Sequence, residues 1–316
     1  MQPPEGHAVE SAAEAAHAAP EAFDAGATII GHVANSPLDH PLIHLPSIGG
    51  IDMSVTKHVL MLWIAAAVVL IVSTVAVRRY IRRGQMVPKG PVMGLIEYVI
   101  VRIRDEIVAP TVGKKWANAY APLIICFFLF IVTANAIGMI PFFDLLALIN
   151  HTVLHLPEES FLTQLTHGGV TPTGNFNVTA ALATISFFAI IVAGVRAHGF
   201  FGHWKNLVPH GVHPALWVIL IPIEILGMFV RPFALTMRLA ANMTGGHVAI
   251  LAILSMIFIM AEASRSAIVG LGMGVIAVPL AVGISLLEAV VVVPVQAFVF
   301  TLLTAVFIGM AIHAHH

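Results

Sequence analysis

The sequence predicts an all-α polytopic membrane protein, and three observations carry that prediction. Of its 316 residues, 59% are hydrophobic and only 10% are charged. Several apolar runs reach the ~20 residues that a spanning helix needs. The few Lys and Arg residues cluster so that a helical topology places nearly all of them on one side of the membrane. The period-two alternation of a membrane β-barrel is absent. A net charge of -1 offers no bulk electrostatic case for nucleic acid. A lone Cys126 excludes an intrachain disulfide.

Residues 1–50 read as a polar N-terminal arm, rich in Ala, His, Pro and acids, with no Lys or Arg before Lys57. This composition gives neither the positive n-region nor the apolar core of a secretory signal. The expectation is a flexible arm on the outer side, followed by a short amphipathic lead-in near Ile43–Asp52. Residues 51–316 form the membrane domain. Its first span, 59–77, stops at Arg78-Arg79-Tyr80-Ile81-Arg82-Arg83, and basic residues continue through Lys89, Arg102, Arg104, Lys114 and Lys115. The Lys/Arg excess of cytoplasmic loops puts this segment inside and the N-terminus outside. Within it, Val92–Val108 mixes apolar residues with Glu97, Arg102, Arg104, Asp105 and Glu106, the pattern of an amphipathic helix on the inner surface or against a soluble partner.

The second span, 120–140, is closed by Pro141 and leads to a loop without Lys or Arg, which belongs outside. The third, 176–195, ends at Arg196, His198 and Lys205, inside again. Two long apolar regions follow, 216–260 and 267–312, joined by the polar link Glu262-Ala-Ser-Arg265. Five spans with the C-terminus in the cytoplasm put 11 of the 15 Lys and Arg residues inside. A helix over 216–260 would be ~67 Å long at 1.5 Å per residue, against a hydrocarbon core ~30 Å thick. Either the last two segments tilt strongly, or they break at Gly245-Gly246 and at Gly270, Gly272, Gly274, Pro279 or Pro294.

The fourth segment carries the chemistry. Glu224, Arg231 and Arg238 are spaced by seven and share one helical stripe, and Asn242 extends it by a turn. His247, nine residues past Arg238, falls on the opposite face, ~13 Å further along. Glu224 and Arg231 read as an internal pair, or as groups snorkelling near the inner interface. Arg238 lies deeper, where a charge costs from ~2.5 to more than 10 kcal/mol, so it is a functional candidate. The last segment supplies Glu288 and Gln296 at matching depth. A buried Glu288 needs protonation or a partner, and pairing with His247 would make a couple able to accept protons.

Arg231-Pro-x5-Arg238-Leu-x2-Asn242-Met-x2-Gly245-x-His247 resembles the signature of subunit a of the rotary F-type ATP synthase, bacterial type. Asn135-Ala-Ile-Gly138-Met-Ile-Pro141 is similar to the Asn-Leu-x-Gly-x-x-Pro of that family's second span. Pro172-Thr-Gly-Asn175-Phe-Asn177-Val-Thr179 resembles the start of its next helix, and Gln296-Ala-Phe-Val-Phe that of its C-terminal helix. Together the motifs cover about residues 50–312. The resemblance implies a non-catalytic, proton-translocating stator subunit in the bacterial inner membrane. Its partners would be a c-subunit ring, the peripheral-stalk b subunits and the lipid bilayer, with no cofactor and no metal.

The resemblance also implies roles. Arg238 would be the essential arginine facing the ring carboxylates, with Asn242 and Gln296 as polar neighbours. His247 and Glu288 would line the outer half-channel, with Asn135, Thr173, Asn175 and Asn177 at its mouth. On the residues alone, Arg231 reads as an inner-side structural charge, with Glu224 near the inner path. The last two helices would form one long, strongly tilted hairpin. Two departures stand out. Glu288 is eight residues before Gln296, where the family has seven, and a bulge or kink would have to absorb the extra residue. Gly138 stands where some members carry an acid.

Two other classes compete on the residues alone. A secondary transporter with a midplane charged site would use Gly/Pro-broken helices, but such folds show paired repeats, and the arginine stretch occurs once. An intramembrane metal enzyme is suggested by 17 histidines, yet there is no His-Glu-x-x-His. His7, His17, His32, His40, His198 and His203 fall in the arm or in loops.

Overall fold

The computed structural model describes residues 23–33, 43, 45–46, 54–82, 90–139, 150, 160, 171–205 and 213–313. Among them the fold is helical throughout, apart from a single antiparallel bridge between Ile43 and Val55. The elements in chain order are α1 (Ala25–Val33), α2 (Lys57–Arg82) and α3 (Pro91–Arg102). A π-helical stretch, Ile103–Val108, and a further turn, Ala109–Val112, continue α3. Then come α4 (Lys114–Met139), a 3-10 turn (Pro172–Gly174), α5 (Phe176–His198) and α6 (Phe200–Lys205). Two long elements finish the chain: α7 (Pro214–Ala263), and α8 (Ala267–Leu287) running through a π-turn (Glu288–Val292) into α9 (Val293–Ile312).

Five helices are long and apolar enough to cross a membrane: Lys57–Arg82, Lys114–Met139, Phe176–His198, Leu216–Ala263 and Ala267–Ile312. They match the five expected spans, with ends shifted by a few residues. Pro141 and most of the loop after it lie outside the described residues, as do Arg83, Lys89, His315 and His316.

The last two segments do not break. α7 is one helix of 50 residues that passes through Gly245-Gly246 without interruption. Gly270, Gly272, Gly274 and Pro279 lie within continuous α8, and Pro294 is the second residue of α9, directly after the π-turn. In hydrocarbon no water can satisfy a freed backbone group, so a helix that glycine would weaken in water continues. At ~75 Å, α7 is far longer than a ~30 Å core, and of the two alternatives read from the sequence, a break is not the one observed. α7 and α8 form a hairpin, closed by Ser264, Arg265 (φ 49) and Ser266. Close approach near the turn leaves no room for a β-carbon at Gly270, against Ala261.

The other elements pack around α4, α5 and α9. One core cluster sits at the basic end, with Ile103, Ile107, Val108 and Val112 of the amphipathic segment against Ile124, Ile190 and Ile308. The charged residues of that segment face outward, with ion pairs Arg102–Glu106 and Arg104–Asp105. Its apolar stripe thus binds the bundle, the amphipathic helix that the pattern of Val92–Val108 predicted. Asp105 is held below its ordinary carboxylate range by a hydrogen bond from Arg104. His198 Nε2 lies 2.9 Å from the carbonyl of Ile312, so the ends of α5 and α9 meet there too. A second cluster lies deeper, with Phe127 and Ile131 of α4, Leu182 of α5, Leu235 and Leu239 of α7 and Phe300 of α9. Phe127 and Phe300 meet edge to face, centroids 5.4 Å apart. A buried hydrogen bond, 3.0 Å, joins Ser186 to Thr304.

Elsewhere α7 and α8 expose apolar side chains, among them Ile219, Ile223, Phe229, Phe233, Leu271, Val275 and Ile276. Such a surface belongs against lipid or another protein, not water. Within the arm, α1 docks on the far end of α7. Phe23 packs on Phe258 with centroids 4.9 Å apart, and its backbone N–H donates to Glu262 Oε2 at 3.1 Å.

Candidate functional site

The polar residues of α7 divide between two faces. Leu235, Leu239 and Met243 recur every four residues, are buried, and hold α7 against the bundle. Beside that seam, Arg238 and Asn242 are exposed. Arg238 borders a narrow crevice with Leu235, Leu239, Gln296 and Phe300, so α9 brings Gln296 to the arginine as the resemblance implied. Arg238 makes no hydrogen bond or ion pair with any described residue. A guanidinium cannot shed its charge, and its counter-charge must come from outside this set of residues.

Arg231, two turns earlier, is satisfied within the chain. Its Nη2 lies 3.1 Å from Glu224 Oε1, and its guanidinium carbon sits 5.6 Å from the Phe307 ring centroid. This is the internal pair that the seven-residue spacing suggested.

His247 lies on the other side of α7, against the segment that precedes α5. Its Nε2 is 2.7 Å from Thr171 Oγ1. One turn back along α7, Thr244 Oγ1 donates to the Gly174 carbonyl of the 3-10 turn at 3.4 Å. Buried Thr173 donates to Asn135 Oδ1 of α4, itself fully buried. Asn175 caps α5, its side chain accepting from the Asn177 N–H at 2.8 Å, while the Asn177 side chain is exposed. Asn135, Thr173, Asn175 and His247 therefore come together at the end of the molecule opposite the basic residues. α2 packs against the same 3-10 turn, which brings its buried first residues, Lys57 and His58, to that end.

Glu288 arrives from the last segment. It is 2% exposed, and neither carboxylate oxygen has a hydrogen-bond partner among the described residues. The carboxylate rests against Gly246, where a β-carbon would overlap it. It is thus a neighbour of His247 along α7, but the expected couple is not closed by a direct hydrogen bond. The π-turn explains how Glu288 reaches this position. It begins at Glu288 and ends at Val292, so the one residue in excess before Gln296 is taken up there. π-turns of this kind recur at functional positions in helices.

One participant was not anticipated, Thr171. It sits just before the Pro172-Thr-Gly-Asn175 motif and could have been reached by extending it. Gly246 reads from sequence, with Ala240, Ala241 and Gly245, as a small residue that leaves room for close approach, and the group that takes the room is the Glu288 carboxylate. Gly138 gains an explanation as well: a β-carbon there would overlap Thr171, so an acid at this position would displace the partner of His247. Among the described residues, no group of three or more His, Cys, Asp or Glu could hold a metal ion.

The family described as ATP synthase A chain matches residues 59–309. ATP synthase subunit a 2 of Chlorobium luteolum is 36% identical over 314 residues, 96% of this chain and 82% of that protein. Its counterpart in Prosthecochloris aestuarii is 36% identical over 314 residues, 96% of this chain and 86% of that one. ATP synthase subunit a of Myxococcus xanthus is 36% identical over 268 residues, covering 85% and 76%.

Proposed function

Since the chain belongs to the family of subunit a of the F-type ATP synthase, we propose that it is the stator through which protons reach and leave a rotating c-subunit ring. The observation that carries this reading is the division of α7. Arg238 stands open and unpaired on one face, while a buried polar cluster occupies the other.

A ring carboxylate must be protonated to travel through lipid, where a bare charge is expensive. Opposite Arg238 it can remain ionised, because a fixed guanidinium replaces the water it has left. Asn242 and Gln296 border the same face and offer hydrogen bonds to the passing group. The positive charge also repels protons, which keeps the two half-channels from joining. The outer half-channel runs from Asn135, Thr173, Asn175 and Asn177 past His247 to Glu288. Glu288, buried without a hydrogen-bond partner among the described residues, ends this path. The inner half-channel runs near Glu224 and the inner ends of α7 and α9.

With the basic end in the cytoplasm, the N-terminus lies outside the bacterial inner membrane and the C-terminus inside. The amphipathic α3 segment then lies on the cytoplasmic face, where peripheral-stalk b subunits would reach it. A potential of ~100 mV supplies about 2.3 kcal/mol per charge that crosses, which rotation passes to ATP synthesis in the catalytic sector. The test is ATP-driven proton pumping in inverted vesicles from cells expressing Arg238→Ala. Pumping is lost while the complex stays assembled; normal coupled pumping overturns the proposal.

A further inference from the structure

A groove of about 390 Å³ opens between α2 and α3, away from both half-channels. Ile71 and Val75 of α2 and Val92 and Met93 of α3 form its walls, with Arg79 and Tyr80 at one end. This volume lies within the range of sites that hold small organic ligands, and apolar walls with one charged group are their usual chemistry. Ile71 precedes Arg79 by eight residues, so the apolar slot extends ~12 Å from the cation along the helix.

Arg79 belongs to the last turn of a spanning helix, the level of the lipid headgroups. It makes no ion pair with any described residue. Arg78, Arg82, Arg83 and Lys89 stand near it in sequence, against the single acid Glu97 of α3. Basic pockets between membrane helices recognise anionic headgroups. A lipid chain fits the slot, and a phosphate without a compensating cation fits the charge.

We propose that this groove binds one anionic phospholipid, an acyl chain between α2 and α3 and the phosphate at Arg79. The bound lipid fills the space between the first span and the amphipathic segment and anchors that segment to its leaflet. None of this depends on the assignment of the proton path.

The test uses the assembled complex, purified in mild detergent and equilibrated with mixed micelles of phosphatidylglycerol and phosphatidylcholine in equal amounts. Retained lipid is measured by mass spectrometry. Wild type retains phosphatidylglycerol preferentially. Arg79→Gln lowers that preference about fivefold, the effect of one basic residue at an anionic surface, while Arg79→Lys keeps it. Val75→Trp, which fills the slot, lowers the amount of retained lipid. A benzophenone side chain introduced at Val75 forms an adduct with phospholipid in native membranes. Equal retention of the two lipids by wild type, an unchanged preference in Arg79→Gln, or an adduct with another protein subunit instead of lipid would each overturn the proposal.

Discussion

The two faces of α7 treat polar groups in opposite ways. Toward α4, α5 and α9, the polar groups of the site other than the exposed Asn177 side chain are either bonded or enclosed. His247 meets Thr171, Thr173 meets Asn135, and Glu288 is sealed against Gly246. On the other face Arg238 and Asn242 are left open. The contrast recurs along the stripe itself, where Arg231 has Glu224 and Phe307 while Arg238 has no described partner. A closed face can carry protons by short steps between fixed groups. An open charge in an apolar surface calls for a second molecule. In the proposed function the same helix is both wall of a channel and contact surface of a moving part.

The largest effect should come from the open face. Arg238→Ala abolishes ATP-driven pumping, whereas Arg231→Ala leaves part of it wherever the complex assembles. Comparing the two in one vesicle assay separates the arginine that acts from the one that is held. Equal loss at matched assembly would erase the distinction.

Next comes the enclosed carboxylate. Gly246→Val forces a side chain into the space that Glu288 occupies, an overpacking worth about 1–3 kcal/mol. Proton flux through the membrane sector, measured with the catalytic sector stripped off, falls about tenfold for each ~1.4 kcal/mol added to the barrier. Combining Gly246→Ala with Glu288→Asp, whose carboxylate is withdrawn by one methylene, recovers part of the loss of Gly246→Ala. Strict additivity of the two changes would show that the contact does not govern the flux.

A smaller effect is expected at the internal pair. Glu224→Gln or Arg231→Gln alone leaves one charge unpaired in an apolar surface, which costs about 2.5 kcal/mol or more at mid-membrane and less near the interface. The double substitution removes both charges and restores complex abundance, read by immunoblot of membranes. A double variant no more abundant than the worse single variant would show that the pair does more than neutralise itself.

The smallest effect belongs to the π-turn. Deleting Val290 returns the Glu288–Gln296 spacing to seven residues and lets the turn relax to α-helix, with both side chains keeping their faces. Pumping should stay close to wild type. Loss as complete as in Arg238→Ala would mean that the turn has a task beyond absorbing a residue.

Much of this architecture was legible because the bilayer constrains sequence so severely. Apolar length marks the spans, and basic residues mark one side. An arginine that stays among Leu, Met and Ala has to be used or hidden. The seven-residue steps from Glu224 to Arg238 already placed the stripe on one face and His247 on the other. Asn135, Thr173 and Asn175 were each visible only as motif members, since the contact that joins α4 to the 3-10 turn spans 38 residues of chain.

What the sequence determined by itself was therefore the class of fold, the number of spans, the polar stripe and the residue in excess before Gln296. Local spacing and transfer energies decide such features, and both can be read from neighbours in the chain. The tertiary structure decided what those features become. Apolar surroundings keep α7 continuous through Gly245-Gly246, because its backbone has no other hydrogen-bond partners. The excess residue becomes a π-turn, and Glu288 comes to rest on the glycine beside His247 while the histidine bonds to Thr171. These outcomes depend on how closely α7, α8 and the segment before α5 approach one another, a distance that no single helix encodes.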